Sequence, residues 1–466
     1  MQRFDLIVIG SGPGGYRSAV LGALRGLGVA IVEKTQWGGC CLNRGCVPKR
    51  DWHHSAKLIA ASRRFPERGI GGKLQVDLQQ AWRHQEQVVA KVTGSYTDYM
   101  ERLGVLRFTG TARFVDANTV AIDADKNIAG HNIIIATGAT PDVPNNFELT
   151  PDRILTTDEL FDTPPPAGKR VAVIGSGMVG TEFAFILAML GLQVTWIRRS
   201  KALSRTGFSQ PALKLLNAAF DHCAVDIRHD RHTKQAHVDG KGVCLQLNDD
   251  SEIVVDWILL GTGRKPYTAG LGIDRAGVGT DADGFIEVNE FLQTYCPHIY
   301  AIGDVANAHM TANHALADAT VAISNIVAPG SRRRDNRAVP EVVYSALELG
   351  RIGMNEDQAE EAGLEPATGF AAFDANPRAL GQDDTDGFVR LVSEIDSGDL
   401  LGAEIVGSEA GELIQLVAQE YGKNDALNRF ASAFYNHPAR IEELLNATET
   451  LASRWGLAPW VFASGL

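Results

Sequence analysis

The feature that most constrains the fold is a short pattern that occurs twice. Leu6-Ile7-Val8-Ile9 is an apolar run of strand length, followed at once by Gly10-Ser11-Gly12-Pro13-Gly14-Gly15 and then by an apolar helical pattern through Leu27. Strand, glycine turn and helix in this order seat a pyrophosphate. Free amides at a helix N-terminus and the helix dipole favour an anion, and side chains at the turn would hold it off. A second strand, Val29 to Val32, ends in Glu33, at the distance from Gly10 where a carboxylate can accept hydrogen bonds from an adenosine ribose. The pattern returns in Val171-Ala172-Val173-Ile174-Gly175-Ser176-Gly177-Met178-Val179-Gly180, with a helix through Leu190 and a strand from Val194 to Ile197. Gly175 opens the second turn as Gly10 opens the first, so two dinucleotide folds are expected. The copies differ at one informative place. The offset that leads from Gly10 to Glu33 leads from Gly175 to Arg198 rather than to an acid, with Arg199 and Arg205 close behind. Arginine there suits a 2′-phosphate and removes a repelling carboxylate, although a solvated basic loop has the same composition.

At 466 residues there is room for three domains of ordinary size. A formal charge of -12 argues against non-specific nucleic-acid or anionic-membrane binding, since both need a basic surface. The longest apolar run, Phe183 to Leu192, is too short to span a bilayer, and Phe4 to Gly10 reads as a folded strand rather than a secretory signal. Six cysteines (40, 41, 46, 223, 244 and 296) do not form a dense disulfide framework. A reducing, cytoplasmic setting is therefore expected.

Cys41 and Cys46 stand five positions apart in Gly38-Gly39-Cys40-Cys41-Leu42-Asn43-Arg44-Gly45-Cys46-Val47-Pro48-Lys49. In a regular helix that spacing is about 7.5 Å of axial rise, beyond the roughly 4.4 to 6.8 Å between Cα atoms that a disulfide tolerates. A bridge here requires a pinched turn, for which Gly45 supplies backbone freedom, and such a bridge should be more reducible than a structural one. Ordinary buried thiols, or a zinc cluster with Cys40 and His53 or His54, are the other readings. Ligands bunched in one segment disfavour zinc, and no metal is expected.

Helices are expected over Asp51 to Arg64 and Leu78 to Leu103, and short strands from Val105 to Ile122. Ile133 to Gly138 is a buried strand running into a turn, and Pro141 to Pro151 and Pro164-Pro165-Pro166 read as connections. Ile258 to Gly261 leads into Gly263-Arg264-Lys265-Pro266, and the strand Ile299 to Gly303 ends at Asp304, where ligands of open α/β sheets sit. Ser331 to Asp335 is a solvated linker. From Val339 onward strands are followed by helices, the pattern of a separate α+β domain. Near the end, Tyr435-Asn436-His437-Pro438 precedes Glu442. A histidine oriented by a carboxylate is the usual general base, and equally a satisfied surface pair; spacing alone does not bring His437 to Cys41.

Together these residues resemble the flavin-dependent pyridine nucleotide-disulfide oxidoreductases that include dihydrolipoamide dehydrogenase and glutathione reductase, in the same order from Phe4 to about Leu451. The resemblance implies an α/β chain with two Rossmann-like domains and a C-terminal α+β dimerisation domain. FAD would occupy residues 1–145 and 267–337, NAD(P) residues 146–266, and the interface 338–466. It implies FAD on Gly10, Gly12, Gly14, Gly15, Glu33, Gly39, Lys49, Thr137, Gly138 and Asp304. It implies NAD(P), with NADP(H) slightly favoured by the arginines, on Gly175, Gly177, Gly180, Glu182, Arg198, Arg199, Arg205 and Gly263. Cys46 would be the thiolate against the flavin and Cys41 the one exchanging with substrate, with Lys49 and Glu182 in the positions of the family's ion pair. His437 as base and Glu442 as its orienter would come from the neighbouring subunit of a homodimer.

The activity implied is electron transfer between a dihydrolipoyl or similar dithiol and NAD(P). An NADPH-dependent reductase of a small disulfide, or a low-turnover flavoprotein binding a lipoyl-carrier protein, is the alternative. Gly12 to Tyr16, Asn376-Pro377-Arg378-Ala379 and Leu401 to Gly407 look like the lipoamide enzymes, whereas Cys46-Val47-Pro48-Lys49 looks like the glutathione branch. Val20 and Leu21 stand where glutathione reductases carry arginines, and Ala463 to Leu466 holds no cysteine pair of the mercuric or large thioredoxin reductase kind. Departures from the family pattern are Cys40, Arg44 and Tyr435.

Overall fold

The computed structural model describes residues 1–456 other than Lys73 and Lys241, so the stretch 463–466 lies outside the described residues. Two compact units emerge, one of residues 1–55, 77–169 and 233–334, the other of residues 56–76, 170–232 and 335 onward.

The first unit is built on β1 (Gln2–Ile9), with α1 (Pro13–Leu24), β2 (Val29–Glu33), α2 (Gly39–Asn43), the part of α3 (Cys46–Ser62) up to Ser55, α4 (Leu78–Arg102), β3 (Leu106–Thr109), β4 (Ala112–Phe114), β5 (Thr119–Ile122) and β6 (Lys126–Ile135) following in order. The sheet runs β3-β2-β1-β6-β5-β4, and Ile299–Ala301 pairs parallel with β6. Both faces are covered toward the strand ends, which is why residues 6–9 of β1, 29–32 of β2 and 133–135 of β6 are apolar at successive positions instead of alternating. Ile7 and Ile9 pack with Phe114 and Ile128 on one side, while Leu6 and Val8 pack with Val20 and Ala322 on the other. Each such side chain taken fully out of water contributes about 1.5–3 kcal/mol. The register Ile9↔Val32 and Ile9↔Ile135 aligns the strand ends, so Gly10, Glu33 and Ala136 share one edge. The unit also contains α5 (Thr157–Asp162), opened by a reciprocal Thr156–Glu159 capping box, and an antiparallel meander of Thr233–Asp239, Gly242–Leu247 and Glu252–Val255.

In the second unit, Arg170–Ile174, Gln193–Arg198 and Asp226–His229 form adjacent parallel strands beside α6 (Met178–Met189) and α7 (Gln210–Phe220). Its other sheet has five antiparallel strands in the order Glu341–Tyr344, Glu348–Gly353, Leu400–Val406, Phe388–Glu394, Pro366–Ala372. Helices Ala410–Glu420 and Glu442–Arg454 bury Ile414, Val417, Ala447 and Leu451 in its core. Among the described residues, no helix is long and apolar enough to cross a membrane.

Two expectations need correction. The helix expected from Asp51 begins at Cys46, because Pro48 falls in its first turn, where a missing amide costs nothing. Strands Glu348–Gly353 and Pro366–Ala372 are present although the sequence pattern did not mark them. Each contains a glycine against a covering helix: a Cβ on Gly350 would lie 2.9 Å from the Ala410 carbonyl, and one on Gly369 would lie 2.1 Å from that of Ala447. Glycine inside a strand erases the apolar alternation by which strands are read.

Candidate active site

The first glycine turn is shaped by close approach. Gly10 has φ +99° and its Cβ would stand 2.3 Å from the Ala136 carbonyl oxygen; one on Gly15 would stand 1.9 Å from the Gly10 carbonyl. A Cβ on Gly14 would press on Ile302 and Ala315. On the outer side, a Cβ on Gly12 would meet nothing within 4 Å. Gly12 is the N-cap of α1, with no side-chain cap and no acid in the first turn. Glu33, buried, accepts from the Ser11 amide at 2.9 Å, the Ser11 hydroxyl at 2.7 Å and the Thr35 amide at 3.0 Å. Ser11 Oγ in turn accepts from the Gly38 amide at 2.9 Å, tying the glycine turn to the cysteine segment. Gly39 completes that junction, since its Cβ would fall 2.7 Å from the Gly12 Cα. Thr137 Oγ1 donates to the Tyr267 carbonyl at 2.6 Å, and the carbonyl of Gly138 (φ +71°) accepts from the Tyr267 amide. Asp304 lies in a single 3-10 turn after Ile299–Ala301, and burial raises its pKa above the ordinary carboxylate value. An uncapped helix end with an open glycine face, beside a buried acid at the second strand end, fits the pyrophosphate and ribose of FAD.

Cys41 lies in α2 and Cys46 opens α3, with a two-residue turn, Arg44-Gly45, between the helices. The expectation that Gly45 supplies an unusual backbone angle is corrected: it is absent from the positive-φ residues. Its role is space, because a Cβ there would lie 3.2 Å from the Cys40 carbonyl oxygen and 3.5 Å from the Cys41 Cα. All six cysteines are free thiols. The Cys41 thiol is hydrogen-bonded to Cys46, which with burial raises its pKa well above the usual thiol value, while the Cys46 amide donates to the Cys41 sulfur. Cys46, at the first residue of α3, lies where the helix dipole favours a negative sulfur. Burial pushes Cys40 up to about 12. Lys49 follows one turn on, its amide donating to the Gly45 carbonyl at 3.0 Å. Among the described residues no grouping of metal-ligating side chains includes these thiols, and buried His53 Nδ1 is 3.1 Å from Arg50. Tyr96, which the sequence did not single out, stacks on Tyr16 at 4.1 Å, and burial first, then the neighbouring Cys41 and Cys46, raises its pKa. Only its place on the half-buried face of α4 could have signalled it.

His437 and Glu442 do form a pair. His437 Nδ1 is 2.8 Å from Glu442 Oε1, and Glu442 Oε2 accepts from the Ala439 amide at 2.7 Å. That amide, then the imidazole, holds the Glu442 carboxyl below its usual range. His437 is exposed, whereas Tyr435 is half-buried with its hydroxyl donating to the Phe430 carbonyl at 2.8 Å.

The second turn repeats the first. A Cβ on Gly180 would lie 2.2 Å from the carbonyl of Gly175 (φ +125°), and Gly177 caps α6 with nothing within 4 Å of its Cβ position. This fits a second dinucleotide. Glu182, buried on α6, accepts from the Tyr344 amide at 2.8 Å. Gly263 (φ +116°) faces open space, its carbonyl accepting from the Asp142 amide. The arginines divide. Arg199 and Arg205 are exposed, but Arg198 is only 2% exposed. Its guanidinium gives two bonds to Asn217 Oδ1 at 3.1 Å, lies 2.9 Å from His229 Nδ1 and covers the Trp196 ring. In this arrangement the Arg198 guanidinium is engaged by Asn217, His229 and Trp196.

Two dinucleotide turns, a thiol pair abutting the first of them and a carboxylate-oriented histidine define a class of nucleotide-linked thiol oxidoreductases. The chain belongs to the pyridine nucleotide-disulphide oxidoreductase family: residues 4–319 match that family's model and residues 339–448 match its dimerisation domain. It is 33% identical to dihydrolipoyl dehydrogenase 3 of Haloarcula marismortui, with 96% of each chain covered. It is also 33% identical to the dihydrolipoyl dehydrogenase of Thermus scotoductus, over 97% of this chain and 98% of that one. In fold it is similar to LpdA from Mycobacterium tuberculosis, with TM-score 0.90 and 22% identity over 96% of this chain and 99% of that one. The HOCl-induced flavoprotein disulfide reductase RclA from Escherichia coli gives TM-score 0.83 and 24% identity over the same shares. The cofactors of the family are FAD and a nicotinamide dinucleotide, for which both glycine turns have the required shape.

Proposed function

We propose that the protein is a homodimeric, cytoplasmic dihydrolipoyl dehydrogenase-type enzyme, moving electrons between a dihydrolipoyl group and NAD(P) through FAD and the Cys41–Cys46 pair. The observation that carries this reading is the Cys41 thiol hydrogen-bonded to Cys46 in a segment joined through Gly38 and Gly39 to the first glycine turn. The division 1–145 with 267–337 for FAD, 146–266 for NAD(P) and 338–466 for the interface is part of the proposal.

The flavin, when bound, exchanges two electrons with the nicotinamide on one side and with the thiol pair on the other. The chain's own residues do the rest. The turn around Gly12 and Glu33 would bind the FAD pyrophosphate and ribose, with Asp304 and Thr137-Gly138 lining the same cleft and Lys49 beside the ring, and Glu182 would serve the nicotinamide fold. Cys41 exchanges with substrate: a dihydrolipoyl dithiol and the Cys41–Cys46 disulfide become a lipoyl disulfide and two protein thiols. A base takes the proton of the attacking dihydrolipoyl thiol and returns it to Cys41 as that sulfur is released, Cys41 being a thiol whose pKa is held well above the usual value. His437 of the partner subunit, held at Nδ1 by Glu442, presents Nε2 for that proton. Arg199 and Arg205 favour the 2′-phosphate of NADP(H).

Assaying free dihydrolipoamide, a dihydrolipoyl carrier protein and oxidised glutathione side by side, each with NAD(H) and NADP(H), tests the assignment. Turnover confined to the lipoyl substrates is expected; turnover of glutathione disulfide alone would overturn it.

A further inference from the structure

One residue between the two thiols has no part in the chemistry above. Arg44 donates from Nε to Asp162 Oδ1 at 2.7 Å, and its Nη1 lies 3.7 Å from Asp158 Oδ2. These acids are four apart on α5, which sets both carboxylates on one face, a turn apart. Asp158 is held from its other side by Arg264 at 3.4 Å, itself fixed by a 2.7 Å bond from Nη2 to the Ala139 carbonyl. The same short helix grips the body of α3: Phe161 meets fully buried Trp52 edge-on, ring centroids 5.0 Å apart. The Trp52 indole donates to the Ala81 carbonyl at 3.3 Å. Helix α5 therefore holds the reactive segment at two points, the turn through Arg44 and the following helix through Trp52.

We propose that Arg44 is a positioning residue that keeps the Cys41–Cys46 turn contracted in the dithiol as well as the disulfide form. A regular helix would spread these positions by about 7.5 Å of rise, beyond disulfide reach. The reduced chain is already pinched there, with the Gly45 Cβ position 3.5 Å from the Cys41 Cα. A dithiol held near bridging span gives up less freedom on closing, so the clamp favours the disulfide. Without it, closing must also recover the turn. Arg44 and Asp162 keep 28% and 35% side-chain exposure, so solvent screens much of the pair.

The inference rests on the redox-pair reading of Cys41 and Cys46, and the test separates the two. The holoenzyme, Arg44→Leu and Asp162→Asn are equilibrated without oxygen in dithiothreitol buffers, trapped with N-ethylmaleimide and weighed by mass spectrometry. The exchange balances: protein disulfide and reduced dithiothreitol give protein dithiol and oxidised dithiothreitol. Both variants should lower the equilibrium constant for disulfide formation about three- to tenfold, raising the midpoint potential by about 14 to 30 mV. Arg44→Lys, which keeps the charge but not the planar fork, should fall between, and with Asp162→Asn it carries the test if Arg44→Leu does not fold. Shifts of opposite sign in Arg44→Leu and Asp162→Asn, the mark of an effect of charge alone, would overturn the clamp. So would no shift in either. A wild type with no reversible couple at these cysteines would overturn the redox-pair reading along with it.

Discussion

Replacing Glu442 by Gln tests the orientation of the base. The carboxylate makes two bonds, 2.8 Å to His437 Nδ1 and 2.7 Å from the Ala439 amide. The amide bond survives in glutamine, whose carboxamide oxygen still accepts, but the group facing His437 becomes a donor or a weaker neutral acceptor. A hydrogen bond to a charged group contributes about 1.5–3 kcal/mol, and partial exposure of Glu442 puts this one at the lower end. At about 1.4 kcal/mol per decade, the reduction of oxidised enzyme by dihydrolipoamide should slow about tenfold. Stopped-flow mixing reads that half-reaction separately from reduction by NAD(P)H, which should stay within about twofold. His437→Ala should cost about 10² or more, as expected for a lost general base. The double variant should be no slower than His437→Ala, because the two residues act as one unit. A wild-type dihydrolipoamide half-reaction in Glu442→Gln, or a double variant with additive losses, would refute this role. The same substitution has a pH signature. Because the carboxyl is held below its usual range in the folded chain, its contribution to stability is present above the ordinary carboxylate pKa and is lost as pH falls through the folded value. Acid denaturation of Glu442→Gln should lack that contribution.

Gly15→Ala would drive a methyl group to 1.9 Å from the Gly10 carbonyl; the purified variant should carry little FAD by absorbance, and full flavin content would count against the turn. Arg199→Glu should shift the kcat/KM ratio toward NADH, whereas Arg198→Met should leave the ratio unchanged and lower Tm, because Arg198 is buried against Trp196. The reverse pattern would mean that Arg198 swings out to meet the cofactor. With a pKa pushed up to about 12, Cys40 should react with iodoacetamide far more slowly than free glutathione at mildly alkaline pH in the reduced protein; labelling of Cys40 at the glutathione rate would contradict its burial.

Much of the architecture is legible because it is local. Strand, glycine turn and helix follow one another without interruption, and the second copy repeats the first with Gly10, Gly12 and Gly15 matched by Gly175, Gly177 and Gly180. The paired cysteines are local too. What sequence could not give depends on distant partners. That Asn217 and His229 meet the Arg198 guanidinium is decided only when the chain folds. Arg44 meets Asp162, far along the chain, only once α5 is folded beside the turn. Tyr96 is one of several aromatics on α4 until Tyr16 selects it. Gly45 is recognisable as necessary, but whether for angle or for room depends on where the Cys40 carbonyl lies.

The account stands on Cys46 lying directly against the flavin ring as the sulfur that shares its electrons. Titrating the holoenzyme with dithionite reads this directly: a long-wavelength absorbance band should grow to a maximum at two electrons per flavin and be missing from Cys46→Ser. A wild-type enzyme that passes through two-electron reduction with no such band, or a Cys46→Ser variant that retains it, would contradict the account.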